Sequence, residues 1–513
     1  VGRPPGWFSG GRRTRVASLR AQAGIATSPV RLLRSLSVVL RRLTLPVLLV
    51  LTTVVAGFEA WRVDRAAAPA LAAAAAAGPA TGTPLASVRR APEWLQRPVA
   101  DRALTTALDA VVAQSPPDTC LVVHDGDRVL YRRNADKPLT PASTVKLLTA
   151  VASLDVLGRG RTFDTVAAAA APPKGGVVEG SLFVVGGGDP LLTTKEYNDR
   201  YDQPQPYTDV ARLAEAVAAS GVKEIRGDIV GDESRYDTQR SVATWDPSFL
   251  ASRESGPLSA LLVNDGFAVY PRTRFNTPST PSANPPEHAA GVLRDALVKQ
   301  GVRITGGARA GTAPATRTEI AKVTTSLETA VGEMLAHSDN TTAELLTKEL
   351  GLQRKGSGTT AAGVATAREA MAAAGLPVAG VSVVDGSGLD RSNTLTCDFL
   401  VALLDRAGPG SVIDKSLAIG GKSGTLIDRF VGTAATGTLR AKTGSLRNTR
   451  SLAGYVDTAG TGRVRTLTFA YIANQTNLNA DANLKVQDQM GAQLAAYPKA
   501  PSLTELGPAS VRR

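Results

Sequence analysis

Pro141-Ala142-Ser143-Thr144-Val145-Lys146 carries the residues best suited to covalent chemistry in this chain. Leu147, Leu148 and Val151 follow at helical spacing, and Pro141 suits a first helical turn, so a helix is predicted to begin at the serine. Unpaired N–H groups at that end favour negative charge developing at Ser143. Lys146 is three residues on and shares its face. A serine hydroxyl becomes a nucleophile only when a base takes its proton. Lysine is that base only when neutral, which requires burial or a second cation close by. Two later stretches supply further polar groups. Ser338-Asp339-Asn340 follows the helical pattern Leu327, Val331, Met334, Leu335, and Lys442-Thr443-Gly444-Ser445 precedes the strand-like run Leu452 to Val456. Each stretch alone has a bland reading: an ordinary amphipathic helix, a helix breaker or cap, a polar turn. In this order and these contexts they read jointly as acyl transfer through a covalent serine intermediate.

The elements that must position them are legible in outline. Leu104 to Val112 is helical. Cys120-Leu121-Val122-Val123, Asp125-Gly126-Asp127 and Val129-Leu130-Tyr131 form a strand, tight turn and strand leading into the serine helix. Between Ser143 and Ser338 lie a strand ending in Gly186-Gly187-Gly188-Asp189-Pro190, a helix around Val210 to Val217, a strand within 225–232, and a Pro/Ser/Thr/Asn-rich stretch at 271–290. A helix at 291–300 and a strand at 302–304 follow. This is too much periodic structure for a loop, so one or two inserted subdomains are expected. Val381 to Leu389 reads as a strand and turn, and Leu395 to Leu404 as a helix. Leu439 to Lys442, Ser451 to Val456 and Arg465 to Ala473 read as antiparallel strands, with Leu484 to Leu494 a helix closing that sheet.

The three stretches together are the signatures of the penicillin-recognising serine enzymes. Over roughly residues 89–500 the chain resembles a D-alanyl-D-alanine carboxypeptidase of the penicillin-binding protein 4 (DacB-like, peptidase S13) type. The resemblance implies an α/β (α+β) fold of the serine β-lactamase/penicillin-binding transpeptidase-like kind, an antiparallel sheet flanked by helices. It also implies large subdomains between the first two signatures, which small serine β-lactamases lack. By the same resemblance Ser143 attacks the bond between the last two D-alanines of a peptidoglycan stem peptide and Lys146 accepts its proton, helped by the charge of Lys442. Ser338 relays that proton to the departing nitrogen. Asn340 holds Lys146 and a substrate amide, while Lys442 and Thr443 bind the terminal carboxylate. The N–H groups of Ser143 and Ser445 form the oxyanion hole, and Gly444 lets substrate lie along the strand edge. β-Lactam antibiotics are implied as covalent inhibitors, and no cofactor or metal is called for. A β-lactamase or small-ester hydrolase of the same fold, and a cell-wall binding protein without catalysis, are the other readings. Rapid penicillin turnover would mark the first, and reversible binding of uncut stem peptides the second.

Composition bounds the rest. A chain of 513 residues with 43% hydrophobic content can bury two or more cores. The formal net charge of +13 is concentrated at one end, because residues 1–42 hold nine arginines and no Asp or Glu. What remains calls for no nucleic acid. The expected layout is an Arg-rich cytoplasmic extension at 1–42, a membrane anchor or signal segment at 43–61, and an Ala/Pro spacer at 62–88. A catalytic part at 89–163, inserted subdomains at 164–325, a second catalytic part at 326–500 and a tail at 501–513 complete it. The apolar run Leu43 to Phe58 predicts a single N-terminal membrane anchor with the remainder on the extracytoplasmic face, or a secreted protein if that leader is cleaved.

Three decoys fail. Gly420 to Thr425 resembles a phosphate-binding loop, but Ser416 stands where its first glycine is required. His337 adjoins Ser338, yet neighbours on a helix do not face each other. His124, His288 and His337 are too scattered for a metal cluster. Cys120 and Cys397 could pair in an oxidising compartment, a matter of distance that sequence leaves open.

Overall fold

Cys120-Leu121-Val122-Val123 is apolar at four consecutive positions, so a strand built from it needs cover on both faces. A computed structural model, describing residues 52–58, 93–270, 279–460, 464–475 and 480–499, shows both covers. Strand Thr119–Asp125 lies inside a six-stranded sheet, antiparallel throughout. The order is Ala418–Ile419, Leu439–Leu446, Thr449–Asp457, Thr466–Asn474, Thr119–Asp125, Arg128–Arg133. Cys120 and Val122, with Ala453, Tyr455, Ala470 and Ile472, face a core shared with helices Val145–Leu157, Leu327–His337, Asn340–Lys355 and Cys397–Ala407. Leu121 and Val123, with Leu452, Val456, Phe469 and Tyr471, face the opposite core, closed by helices Glu93–Val112 and Ala480–Ala495. The period-two alternation of strand side chains divides one apolar run between two cores. Cys120 and Cys397 form a disulfide that ties the sheet to the helix Cys397–Ala407.

A second sheet occupies the interval between the first two signatures. Its order is Ala308–Ala310, Ile229–Asp232, Leu182–Val185, Thr162–Ala169, Thr318–Ser326, with parallel and antiparallel neighbours mixed. Helices Val210–Ala219 and Pro285–Lys299 pack on it around a separate core that includes Leu182, Val184, Leu213, Ile229, Leu293 and Leu297. The large insertion is therefore a packed body with its own apolar interior.

Several sequence expectations are corrected. The segment at 381–384 is no strand: only Ser382 pairs, in an isolated bridge with Thr394. The Asp385 carboxylate captures the N–H groups of Gly388 (2.8 Å) and Asp390 (2.7 Å) and the Asn393 amide, closing the chain into a loop. The helix read at 291–300 starts earlier, at Pro285, because two prolines fill its first turn, where no amide partner is needed. The expected transmembrane anchor, and the membrane-face location that rested on it, are not supported. Among the described residues no helix is long and apolar enough to cross a membrane. Of the apolar run only residues 52–58 are described. Residues 1–51, the 62–88 spacer and the 501–513 tail lie outside the described residues.

Candidate active site

Ser143 sits in a one-turn 3-10 helix, Ala142–Thr144, that runs directly into the α-helix Val145–Leu157. The turn is tight. Ala142 adopts φ 50°, a left-handed conformation that non-glycine residues seldom take, and the Thr144 hydroxyl donates to the Pro141 carbonyl at 2.8 Å. Two glycines make room for it. A Cβ on Gly388, which has φ +83°, would lie 2.0 Å from the Ala142 oxygen. A Cβ on Gly444 would lie 2.0 Å from Ser451 Oγ and 2.7 Å from the Pro141 oxygen. The missing side chain of Gly444 admits the serine turn, a packing role in addition to the expected passage of substrate along the strand.

Lys146 is fully buried, and its Nζ has three neighbours: Ser143 Oγ at 3.1 Å, Asn340 Oδ1 at 2.6 Å and the Ser387 carbonyl at 2.7 Å. Burial pushes its pKa down to about 8, against the opposing pull of Asp339, Asp385, Glu344 and Glu333. Lys442, also fully buried, lies on strand Leu439–Leu446 opposite Ala453 and donates to the Thr443 carbonyl at 2.8 Å. Burial, and then the charge of Lys146, press its pKa well below the usual lysine value. Two lysines so placed do not readily hold two protons.

Ser338 ends the helix Leu327–His337 in a left-handed conformation, φ 66°. Asp339 then caps the next helix, and Asn340 is the first residue of that helix, Asn340–Lys355. A break between two helices is what turns the second signature towards Lys146. The Asn340 side chain spans two parts of the chain: Oδ1 accepts from Lys146 while Nδ2 donates to the Glu254 carbonyl of the inserted region. Thr443 Oγ1 donates to Thr425 Oγ1 at 3.0 Å, and Ser445 is exposed near the end of its strand. A cleft of about 920 Å³ is lined by Ser338, Asn340 and Thr425, with Arg253 and Glu254 contributed by the insertion. Among the described residues no group of three or more His, Cys, Asp or Glu side chains is placed to hold a metal ion.

Ser387 and Glu344 escaped the sequence reading. Ser387 contributes a backbone carbonyl, which no side-chain pattern reports. Glu344 accepts from the N–H groups of Gly386 (2.9 Å) and Ser387 (2.8 Å), and it looks like any polar residue of a helix until its burial is known.

The antiparallel sheet between helical layers, with a mixed-sheet insertion, defines the β-lactamase/penicillin-binding transpeptidase-like class of fold. A solved structure of this class, penicillin-binding protein 4 (dacB) from Haemophilus influenzae, superposes with TM-score 0.63 at 19% identity, covering 76% of this chain and 99% of that one. Closer in sequence are a D-alanyl-D-alanine carboxypeptidase from Actinomadura sp., 31% identical over 72% of this chain and 79% of its own length, and carboxypeptidase DacB from Mycolicibacterium smegmatis, 33% identical over 73% and 80%. Residues 104–281 and 271–497 match the D-Ala-D-Ala carboxypeptidase 3 (S13) family, and the chain belongs to it.

Proposed function

We propose that this chain is a serine-type D-Ala-D-Ala carboxypeptidase that acts on peptidoglycan stem peptides through an ester on Ser143, and that penicillins acylate the same residue. One observation supports this above others: Lys146 Nζ lies 3.1 Å from Ser143 Oγ, and its two other neighbours, Asn340 Oδ1 and the Ser387 carbonyl, are acceptors only. A neutral amine then spends both hydrogens on those acceptors and aims its lone pair at the serine hydroxyl. Ser143 Oγ loses its proton to Lys146 and bonds to the carbonyl carbon of the penultimate D-alanine. The negative oxygen so formed is met by the N–H groups of Ser143 and Ser445. As the carbon–nitrogen bond breaks, the proton passes from Lys146 through the Ser338 hydroxyl to the leaving nitrogen. Water then attacks the ester, giving the shortened peptide a carboxylate and returning the proton to Ser143. Lys442 and Thr443 hold the substrate's terminal carboxylate. That contact favours the charged form of Lys442 and, through it, the neutral form of Lys146. Residues 164–325 are taken as the inserted subdomains, a division supported by the separate core of the second sheet.

The test is release of D-alanine from a peptidoglycan pentapeptide by the protein and by Ser143→Ala. Release by the parent and none by a folded variant is expected. No release by the folded parent would overturn the reading, as would equal release by both.

A further inference from the structure

Lys146 Nζ is oriented by an oxygen that belongs to no side chain, the Ser387 carbonyl at 2.7 Å. A backbone carbonyl points where its loop points, so what holds the loop decides the lysine's geometry. The loop 385–388 has few ladder bonds of its own, and side chains from four directions fix it. The Thr149 hydroxyl of the serine helix donates to the Gly386 carbonyl at 2.7 Å. Trp245 Nε1, from the insertion, donates to Asp385 Oδ2 at 2.8 Å, and Asp385 Oδ1 accepts from the Asn393 amide at 2.7 Å. The fourth contact is the most direct. Glu344, fully buried on the helix that Asn340 begins, accepts two adjacent amides, Gly386 N–H at 2.9 Å and Ser387 N–H at 2.8 Å, through one oxygen, Oε1.

Its other oxygen, Oε2, is buried without a hydrogen-bond partner. Burial and the neighbouring Asp385 raise the pKa of the carboxyl to about 8, so keeping an acid here is costly. The same helix thus reaches Lys146 twice, through Asn340 Oδ1 directly and, one turn on, through Glu344 and the Ser387 peptide. We infer that Glu344 is a positioning residue for the acylation step: by gripping the Gly386 and Ser387 amides it aims the Ser387 carbonyl at Lys146, and so aims the lysine at Ser143. This rests on the reading of Lys146 as the base.

The experiment measures the acylation rate constant with benzylpenicillin, and kcat and KM for D-alanine release, in the parent, Glu344→Ala and Glu344→Gln. A misplacement of about 1 Å at a reacting group costs about 100-fold. Glu344→Ala is therefore expected to lower the acylation rate and kcat about 10- to 100-fold. KM should be unchanged within about twofold, because the carboxylate contacts at Lys442 and Thr443 are untouched. Glu344→Gln keeps an oxygen where both amides point and should recover most of the rate. A melting temperature for each variant separates this from unfolding. Should Glu344→Ala not fold, Glu344→Gln against Glu344→Asp decides, since the shorter acid cannot reach both amides and should be the slower. Variants that acylate like the parent overturn the inference, as does a glutamine no better than alanine or aspartate. A parent that benzylpenicillin does not acylate at Ser143 would instead overturn the reading of the site itself.

Discussion

Ser451 Oγ donates a 2.6 Å hydrogen bond to the Pro141 carbonyl, joining the sheet to the turn that presents Ser143. The bond crosses above Gly444, which pairs with Ser451 in the ladder. Any side chain on Gly444 would occupy the space of that bond, since its Cβ would come within 2.0 Å of Ser451 Oγ and 2.7 Å of the Pro141 oxygen.

Gly444→Ala is therefore expected to push the serine turn off the strand. Overpacking of this kind costs about 1–3 kcal/mol. The loss of acylation should be larger than that stability loss suggests, because the Ser143–Lys146 spacing depends on the turn. Calorimetry and benzylpenicillin labelling check both parts. Adding Ser451→Ala should recover stability only partly, since the Pro141 oxygen remains in the way. A Gly444→Ala protein that labels at the parent rate would show that the turn is held by other contacts.

How much of this was readable beforehand differs by residue. That Ser143, Lys146, Asn340 and Lys442 would come together was legible because side chains suited to one chemistry were spaced on elements whose helix and strand periodicities could be read. The sheet strands were legible because their apolar runs had to be covered on both faces. The loop 385–388 was not. Val381-Ser382-Val383-Val384 has strand composition, and what prevents a strand is a set of bonds to Asp385 from residues three to eight positions on and from Trp245 far away in sequence. The contact of Gly444 with the serine turn was hidden for a similar reason. A glycine announces that something approaches closely, but not whether the visitor is substrate or the protein's own backbone. The disulfide turned on a Cα–Cα distance of 6.1 Å between residues 277 positions apart, which no local pattern encodes.

That disulfide closes a long loop between an interior strand and the helix Cys397–Ala407 on the Ser143 side of the sheet. Its contribution should come mainly from restricting the unfolded chain, about 2–4 kcal/mol. Replacing both cysteines with alanine is expected to lower the urea midpoint by a matching amount. The acylation rate measured on the remaining folded protein should stay near the parent's, since neither sulfur touches Ser143 or Lys146. An unchanged midpoint would mean that the packing around the two positions already supplies that restriction.

Glu349 is the pin between the insertion and the helix that begins with Asn340. It is fully buried and accepts from Arg161 Nη2 (2.7 Å), Arg235 Nε and Nη2 (2.9 and 2.7 Å) and the Tyr236 hydroxyl (2.9 Å). Glu349→Ala leaves both arginines unpaired, a loss that reaches about 3–5 kcal/mol for a fully buried network. Arg161 and Arg235 keep 27% and 26% exposure and regain some water, so about 2 kcal/mol is the expected destabilisation. Urea unfolding measures it. A loss below about 0.5 kcal/mol, the level of a surface substitution, would show that this network adds little to the other contacts between the insertion and the helix.

The base assignment makes a prediction about pH. An exposed lysine titrates near 10.4, which would leave well under a thousandth of the enzyme with a free amine at neutral pH. Burial brings Lys146 to about 8, so that roughly a tenth is neutral at pH 7. Because the neutral amine is the active form, acylation by benzylpenicillin should fall about tenfold per pH unit below this midpoint and level off above it. Lys442 bounds the other side, since its charge holds the carboxylate and is lost as pH rises, which should lower kcat/KM again. The profile of kcat/KM should therefore fall on both sides, on the acid side as Lys146 gains a proton and on the alkaline side as Lys442 loses one. In Lys442→Arg, a group that keeps its charge at any accessible pH, the alkaline fall should disappear while the acid limb persists. A rate independent of pH from about 6 to 9 would exclude a titrating Lys146 as the base.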